Sequence, residues 1–592
     1  MTLSTFTRRA AHVAVGLLLC AAVPYAQQFV LSSEDRARLL AVDFTALGPD
    51  GAPVTDLTPA DITLRIDGRT RPVRALEYIT TGDATRRVPP PFGTNVASTD
   101  SRAIVLMIED DSLQPGGEQA LKDDIRAFLA KLNPVDRVAV VTLPYGGMKS
   151  DFTSDRTRLL NALSPITGRA PQNESASEAG CRTRSTLVSL AGTLESLSNA
   201  ESPVTVVLFT AGLTPPRGVE SLGRQTIDGV DVMRTMGTCE VLTEHYNNVS
   251  IAAARARAQL FVIIPELNAD ASGRSGLEHL TGQTGAPLWN LRSNDETALD
   301  RVVAQTAGFY LARIEPDPGE SPDLVRGYSV SVNRPAITIR HRPQMQAKRP
   351  GRPEATTTVN TPLEMMREAQ LFTALPLRVT ATPSRNADGS LKVVAVFDTP
   401  GSETVSSAML GLFAADGRMV SSASLTAAEL VGIPMVAALN APVGHYRLRV
   451  AAIDGQGRAG AADVDVSVAL VDAGPLKLSG LLLGQSRPEG FVPRLEFSTE
   501  VSALAMLEIY GGKAGTPVGV AFEIATTENG PALATLPGAF APTNQPDTFV
   551  VTAAIPVGAL QPGDYAIRAI VAAQGEAGGR VVKTLRKLPP PR

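Results

Sequence analysis

The hydrophobic pattern changes character twice along the chain. Residues 36–80 alternate apolar and polar positions around Pro-Asp-Gly and Asp-Gly turns, which predicts paired β-strands. From Arg102 onward, continuous apolar runs such as Ala103–Ile108 alternate with segments that repeat apolar residues at helical spacing. Continuous apolar runs are typical of strands covered on both faces, so this region predicts a mainly parallel sheet with helices on both sides.

The alternation of strands and helices stops near Pro316, and the chain then becomes β-like again. We expect the two short strands within residues 317–345 to pair with the N-terminal segment, because isolated two-stranded pieces are marginally stable. Further on, the stretches HYRLRVAA and DYAIRAIVAA echo each other. This repetition predicts two related β-sandwich modules.

The expected organisation is therefore multidomain. Its parts are a signal peptide (1–26), an N-terminal β-rich segment (27–100), an α/β domain (101–316), the returning strands (317–345), a linker rich in Pro, Arg and Thr (346–370), and two β-sandwich modules (371–473 and 474–592).

The N-terminal segment has the features of a secretory signal. Arg8 and Arg9 precede a short apolar run and then small residues, and we place the cleavage after Ala26. No later segment is long and apolar enough to span a membrane. We expect an exported protein, periplasmic or secreted, with no transmembrane segment in the mature chain. The formal net charge of −4 gives no indication of nucleic-acid binding.

The chemistry begins where the first apolar run of the α/β region ends. Residues Ala103–Ile108 lead directly into Glu109, Asp110 and Asp111, followed by Ser112. Three adjacent like charges repel one another, so they need solvent, a partner of opposite charge or a metal ion.

Residues 102–316 resemble a von Willebrand factor type A domain, in particular the exported bacterial proteins described as VWFA-related. The resemblance rests on the order of five stretches, which are IVLMIEDDSL, NPVDRVAVVTL, DFTSDRTRLLNAL, PVTVVLFTAGL and LEHLTGQTGAPLWN. Similar flanking segments extend it to about residues 36–345. The resemblance implies a doubly wound α/β fold with flanking β-strand segments. It also implies a metal-ion-dependent site at the carboxyl ends of the strands.

The metal site implied by the resemblance contains an Asp-x-Ser-x-Ser turn. One register places Asp110 and Ser112 at its first two positions and Gln114 at the third. The other register starts at Glu109 and retains Asp111 but neither serine. The first register is preferred, with Glu109 and Asp111 as supporting acids.

The resemblance also implies a distal Thr and a distal Asp as ligands. The Thr would be Thr186, with Thr183 as the alternative, whereas the position of the Asp is occupied by Ala211. Because octahedral Mg²⁺ tolerates lost ligands poorly, we expect no cofactor or only weakly bound Mg²⁺. The alternative is a degenerate site whose acids lie in solvent at the end of the sheet.

Two cysteines, Cys181 and Cys239, remain after signal cleavage. An exported protein with two cysteines favours a disulfide, and two separately buried thiols are the alternative. Both cysteines lie in loops that should leave the carboxyl edge of the sheet, Cys239 in the long segment 213–248, so we expect the disulfide beside the three acids. The bond would hold that segment as a lid or rim beside them.

The chain has no Gly-x-Ser-x-Gly elbow, no Gly-x-x-x-x-Gly-Lys phosphate loop and no His-Glu-x-x-His motif, so we expect it not to be an enzyme. The expected function is an exported, non-catalytic protein-binding or adhesion module with a degenerate metal-ion-dependent site. Its partner would be a protein in the cell envelope or outside the cell. A structural scaffold of an envelope assembly with no metal role is the alternative, and an uncharacterised hydrolase is a minor one.

Overall fold

A computed structural model describes most of the chain. The signal peptide expected at 1–26 lies outside the described residues, as does most of the linker expected at 346–370. None of the described helices is long and apolar enough to cross a membrane. The described residues are 39–81, 88, 90–95, 101–198, 202–217, 225–227, 230–232, 239–265, 271–293, 296–317, 324–346, 361–367, 371–401, 403–415, 417–426, 428–488, 490–511, 517–541, 543, 547–573 and 576–590.

The α-helices of the described chain all precede the C-terminal β region. They are α1 (Glu118–Lys131), α2 (Arg156–Leu163), α3 (Ala176–Ser196), α4 (Thr243–Ala256), α5 (Ala271–Thr284), α6 (Ala298–Gln305) and α7 (Pro362–Arg367).

The strands up to residue 346 are β1 (Leu40–Leu47), β2 (Ile62–Ile66), β3 (Arg69–Arg71), β4 (Val73–Thr80), β5 (Gly93–Thr94), β6 (Ala103–Glu109), β7 (Arg137–Leu143), β8 (Gly147–Thr153), β9 (Val204–Phe209), β10 (Gln225–Ile227), β11 (Val230–Val232), β12 (Ala258–Ile264), β13 (Leu288–Asn290), β14 (Arg292–Ser293), β15 (Glu296–Thr297), β16 (Gly308–Ile314), β17 (Val325–Val332), β18 (Thr338–Arg340) and β19 (Gln344–Gln346).

The strands of the C-terminal part are β20 (Arg378–Arg385), β21 (Leu391–Asp398), β22 (Val405–Phe413), β23 (Met419–Ser424), β24 (Met435–Asn440), β25 (Gly444–Asp454), β26 (Ala459–Val468), β27 (Val471–Ala473), β28 (Leu476–Leu478), β29 (Leu482–Arg487), β30 (Gly490–Pro493), β31 (Ala503–Tyr510), β32 (Val518–Ala525), β33 (Ala532–Pro537), β34 (Ala539–Ala541), β35 (Thr548–Ile555), β36 (Gly563–Ala573) and β37 (Glu576–Lys587).

The fold class predicted from the sequence is wrong. Strands account for 47% of the structure and helices for 20%, and most strands belong to small antiparallel sheets. A doubly wound α/β domain of the von Willebrand type A kind therefore does not describe this fold. The physical reason is that parallel pairing between the named strands is confined to β6, β7, β9, β12 and β13, whereas antiparallel pairing dominates elsewhere.

Those five strands form one central sheet, to which β8 adds an antiparallel edge in the order β13-β12-β9-β6-β7-β8. Every residue of β6 is buried, and its side chains alternate between two apolar cores. Val105 and Met107 pack in the core that includes α3, α4 and α5, whereas Leu106 and Ile108 pack in the core that includes α1, α2 and α6. The continuous apolar run in the sequence reflects this burial on both faces.

Strand β16 does not belong to the central sheet, although the sequence interpretation included it in the α/β region up to residue 316. It pairs antiparallel with β1 on one side and β4 on the other. Its apolar side chains, including Tyr310 and Ile314, are buried in the N-terminal β core. The boundary was misplaced because a buried strand has the same local pattern in either sheet.

The N-terminal β unit is completed by strands from both sides of the central region. The sheet order is β18-β1-β16-β4 in one layer and β19-β17-β2-β3 in the other. Strand β17 pairs with β2, and β18 pairs with β1. Arg342 and Arg257 both donate to Asp43 Oδ1, at 2.9 and 3.1 Å, and thereby connect β1 to the end of α4.

The β-sandwich character expected for the C-terminal part is confirmed. In the first sandwich, the sheet β24-β21-β20-β5 faces the sheet β23-β22-β25-β26. In the second, β27, β28, β29, β30, β31, β34 and β35 face the sheet β33-β32-β36-β37. Strand β5 belongs to the first sandwich, because its main chain pairs with Arg378 and Val379 of β20.

The two sandwiches meet at a surface with polar groups. Ser384 of the first donates to Glu508 Oε2 of the second at 2.7 Å. Lys583 of the second donates to Thr380 of the first. Burial lowers the pKa of Lys583 from 10.5 to about 8. The charged form of Lys583 is therefore less stable in the folded protein than in water.

We expect Lys583→Met to raise the melting temperature at pH 7, because methionine has a similar length and no charge to desolvate. In the wild-type protein, Lys583 in the folded state loses its proton near pH 8, whereas the unfolded chain keeps it to about pH 10.5. Wild-type stability should rise with pH across that window, and the advantage of the variant should disappear. Thermal melts from pH 6 to pH 10.5 measure this, with the exposed lysine variant Lys477→Met as the control. A pH-independent advantage would contradict the explanation.

Candidate functional site

Glu109, the last residue of β6, lies completely buried at the carboxyl end of the central sheet. Its Oε1 accepts hydrogen bonds from Arg182 Nη1 at 2.8 Å and from Thr186 Oγ1 at 2.7 Å. Its Oε2 accepts a hydrogen bond from Thr210 Oγ1. Burial raises the pKa of Glu109, and the charge of Arg182 and the three hydrogen bonds oppose this effect. The carboxylate is thus enclosed rather than solvated, contrary to the alternative considered from the sequence.

Arg182 of α3 is the positive partner of this buried carboxylate. Its Nε and Nη2 donate to the two oxygens of Glu174, at 2.8 and 2.9 Å. Its Nη1 also donates to the main-chain oxygen of Gly212 at 3.1 Å. Burial alone would lower the pKa of Arg182, but the hydrogen bonds and charges of Glu174 and Glu109 raise it above its usual value. One guanidinium group therefore joins β6, α3 and the loop after β9.

Asp110 and Asp111 form a separate pair of contacts, with Arg169. Arg169 Nη2 lies 2.8 Å from Asp110 Oδ1, and Arg169 Nε lies 2.9 Å from Asp111 Oδ1. Burial raises the pKa of Asp110 and so does the charge of Asp111, whereas the charge of Arg169 lowers it. The Arg169 side chain is 47% exposed, so this second cluster lies at the protein surface.

Ser112 connects two segments of main chain. Its hydroxyl donates to the carbonyl oxygen of Glu109 at 2.8 Å and accepts from the amide of Ala211 at 3.0 Å. Thr183 accepts a hydrogen bond from the amide of Thr214 at 2.9 Å. The serine and the threonine therefore fix the loop after β9 against the 3-10 turn Asp110–Ser112 and against α3.

The three predicted ligands, Asp110, Ser112 and Thr186, each have protein partners of their own. Thr186 contacts Glu109, Asp110 contacts Arg169, and Ser112 contacts main-chain atoms. These residues do not fit Mg²⁺, because their oxygens are engaged and Arg182 already places positive charge beside Glu109. Across the described ranges, no group of three or more His, Cys, Asp and Glu side chains is arranged to hold a metal ion.

Sequence reasoning missed Arg182, Arg169 and Thr210. The sequence did contain a signal for Arg182. It is four residues from Thr186, and residues with this spacing lie on the same face of a helix. The helix begins at Ala176 with a capping box in which Ser175 and Glu178 bond to each other's main chain. This start places Arg182 inside the helix, from where it reaches Glu109.

Cys181 and Cys239 form a disulfide bond, with their Cα atoms 4.5 Å apart. Cys181 lies next to Arg182 on α3, and Cys239 lies shortly before α4. Most of the segment between Arg217 and Cys239, where a lid was expected, lies outside the described residues. Closing 58 residues would stabilise the fold by about 4 kcal/mol on the chain-entropy view.

Exposed side chains flank the buried cluster. Tyr145 follows β7, is 72% exposed and donates to Ser185 Oγ of α3 at 3.1 Å. Val188, one turn further along α3, is 59% exposed. We call the surface formed by Tyr145, Arg169 and Val188 the sheet-end surface. It presents aromatic, cationic and apolar groups. Tyr145 contacts α3 and Val188 lies on it, whereas Arg169 contacts Asp110 directly after β6, and the Glu109–Arg182 pair joins α3 to β6.

No protein-family model matches the chain, and a comparison with curated proteins also gives no match. Among solved structures, the fibronectin(III)-like modules of Clostridium thermocellum CbhA are similar at 13% identity over 33% of this chain and 86% of that chain, with a TM-score of 0.11. The chicken interferon gamma receptor alpha chain is similar at 11% identity over 36% and 97% of the two chains, with a TM-score of 0.12.

A third similar structure is SGBP-B of the Bacteroides ovatus mixed-linkage glucan utilization locus, in complex with a heptasaccharide. The identity is 14%, the TM-score is 0.13, and the match spans 39% of this chain and 46% of that protein. TM-scores this low support no inference about what this chain binds.

We expect Arg182→Met to destabilise the central sheet by about 3–5 kcal/mol, because it leaves Glu109 buried without its cation. The loss should be smaller at pH 5 than at pH 8, because protonation of Glu109 removes the uncompensated charge. Urea unfolding followed by the fluorescence of Trp289, the one tryptophan, reports on β13 of this sheet.

The double variant Arg182→Met with Glu109→Gln should recover part of the loss. The control Arg274→Met removes an exposed pair on α5 and should cost at most about 1 kcal/mol. Equal effects of Arg182→Met and the control would contradict the assignment.

We expect neither Cys181 nor Cys239 to react with iodoacetamide in protein denatured without reductant. Both should be alkylated after reduction, and the paired change Cys181→Ser with Cys239→Ser should destabilise the protein by up to about 4 kcal/mol. Peptide mapping by mass spectrometry distinguishes the states. Free alkylation of both cysteines in unreduced protein would show that the bond is absent.

Proposed function

We propose that the protein is an exported, non-catalytic binding protein that recognises a protein partner through the sheet-end surface, without a bound metal ion. The observation that carries the proposal is the exposure of Tyr145 and Arg169 directly beside a buried, fully paired cluster. Tyrosine and arginine are enriched among the residues that dominate protein–protein binding energy. A rigid support reduces the entropy lost when they bind.

Metal independence follows from the electrostatics of the same cluster. A cation is expected beside a buried carboxylate when nothing else neutralises it. Arg182 supplies that charge from within the chain, and Thr186 and Thr210 donate further hydrogen bonds to Glu109. Chelation should therefore leave the sheet-end surface unchanged.

The hydrolase alternative gains no support from the environments of three histidines. His245 Nδ1 accepts from the amide of Leu242 at the start of α4. The rings of His279 and His341 pack against Tyr246 and Tyr328, with centroids 4.8 and 4.9 Å apart. Burial lowers the pKa of both His279 and His341, which favours their neutral, packed form.

The scaffold alternative would place the partner on the sandwiches rather than on the central sheet. Phe540 of the second sandwich is 47% exposed and provides a matched aromatic position for that alternative. A C-terminal fragment would be a poor test of the scaffold alternative, because it would lack contacts that the first sandwich makes in the full chain. Strand β5 pairs with β20, and Asp151 of β8 forms an ion pair with Arg449 of β25.

We expect the tagged mature protein to capture the same partner from envelope extract with and without EDTA. Tyr145→Ala and Arg169→Ala should each weaken capture by about tenfold or more, since each removes a large exposed side chain of the surface. Phe540→Ala should capture as the wild-type protein does. Loss of capture with Phe540→Ala alone would favour the scaffold alternative. Loss of capture by the wild-type protein in EDTA would refute metal independence.

A further inference from the structure

A small cavity lies between the N-terminal β unit and the central sheet. One wall is formed by β1, by β18 and by the residues directly after β18, and the other by β12 and the end of α5. The cavity volume is about 30 Å³, and about 10–15 Å³ suffices for one water-sized particle. The cavity therefore has room for a monatomic ion but not for a sugar or a nucleotide.

The register of β1 and β18 brings two arginines to this cavity. Thr45 of β1 pairs with Arg340 of β18, so their side chains lie on the same face of the sheet. Arg342 contacts Asp43, which lies two residues before Thr45 on the same face of β1. From the central sheet, Gln259 Nε2 donates to Thr45 Oγ1 at 3.4 Å. This face of the N-terminal unit is therefore the one turned towards the central sheet.

Asp43 is the carboxylate that lines the cavity. Its Oδ1 already accepts from Arg342 Nη2 at 2.9 Å and from Arg257 Nε at 3.1 Å. Burial opposes the ionisation of Asp43, but the charges of these two arginines lower its pKa to about 2. Two cations thus share one carboxylate, which leaves no negative charge for a third cation.

Arg340 is that third cation. No ion pair joins it to a carboxylate of the described residues, and its buried Nε has no hydrogen-bond acceptor among them. Burial lowers the pKa of Arg340, and no neighbouring charge opposes this effect. Arg342 Nε is also buried without an acceptor in the described part of the chain. Because a buried cation without a counter-ion is costly, these two side chains indicate a site for an anion.

The charge to be neutralised at this cavity is a single positive one. His341 also lines the cavity, and its Nδ1 donates to the main-chain oxygen of Arg342 at 2.6 Å. Burial lowers the pKa of His341, which favours the neutral ring. The unbalanced charge is therefore that of Arg340. A water molecule could accept from the two Nε groups but would leave this charge in place, whereas a monovalent anion would remove it.

We propose that the cavity binds a chloride ion, which accepts hydrogen bonds from Arg340 and Arg342 and neutralises Arg340. The ion acts as a structural ligand that joins the N-terminal β unit to the central region. This site is separate from the sheet-end surface, so the proposal stands independently of the protein-binding function.

Thermal melting of the full mature chain in sodium chloride and in sodium gluconate of equal ionic strength tests the proposal. Chloride should raise the melting temperature in a saturable manner, because it binds the folded chain and gluconate is too large for the cavity. Arg340→Met should remove this response and should melt above the wild-type protein in gluconate, because no unpaired cation is then buried. The control Arg274→Met, which removes an exposed pair on α5, should respond to chloride as the wild-type protein does.

Two further measurements keep the test independent of that variant. Gln259→Glu supplies a carboxylate from β12, so it should raise the melting temperature in gluconate and abolish the response to chloride. Crystals of the wild-type protein soaked in bromide should show an anomalous peak beside Arg340 and Arg342, and this result decides the question if Arg340→Met does not fold. An equal response to chloride in the wild-type protein and in Arg340→Met would overturn the proposal, as would bromide-soaked crystals with only water in the cavity.

Discussion

The buried ion pair between Glu109 and Arg182 organises the carboxyl end of the central sheet. A carboxylate at the end of a buried strand is costly unless it is paired and hydrogen-bonded. Arg182 pairs with it, and the two threonines satisfy its remaining oxygen positions. Because these partners come from α3 and from the loop after β9, neutralising one charge fixes the relative positions of three segments. The Cys181–Cys239 bond ties a fourth segment to the same helix.

A second set of long-range contacts joins the units of the chain. Strand β5 completes an edge of the first sandwich, and β16 completes the N-terminal β unit after the chain has passed through the central region. Arg449 connects Asp463 to Asp151 across the boundary between the first sandwich and the central sheet. The units are therefore joined by pairing and buried charge rather than by linkers alone, which makes the surfaces between them stable enough to form a site.

The sheet-end surface and the cleft between α2 and the first sandwich arise from different physical circumstances. The sheet-end surface consists of exposed Tyr145, Arg169 and Val188 beside a cluster whose charges are internally paired. The cleft between α2 and the first sandwich is lined by exposed polar side chains, with an ion network of arginines and carboxylates beneath them. An exposed surface with aromatic and cationic side chains suits another macromolecule.

The sequence by itself determined the local features. The sequence predicted the continuous apolar run of β6, the hairpin patterns of the sandwiches and the proximity of Cys181 and Cys239. These features could be predicted because periodicity and chain direction depend on neighbouring residues. Only the tertiary structure decided which sheet β16 joins. It also decided that Thr186 contacts Glu109 rather than Asp110, and that Arg182 is the cation beside the buried carboxylate. Those outcomes depend on burial and on partners far away in the chain, and burial sets the energetic cost of each unpaired charge.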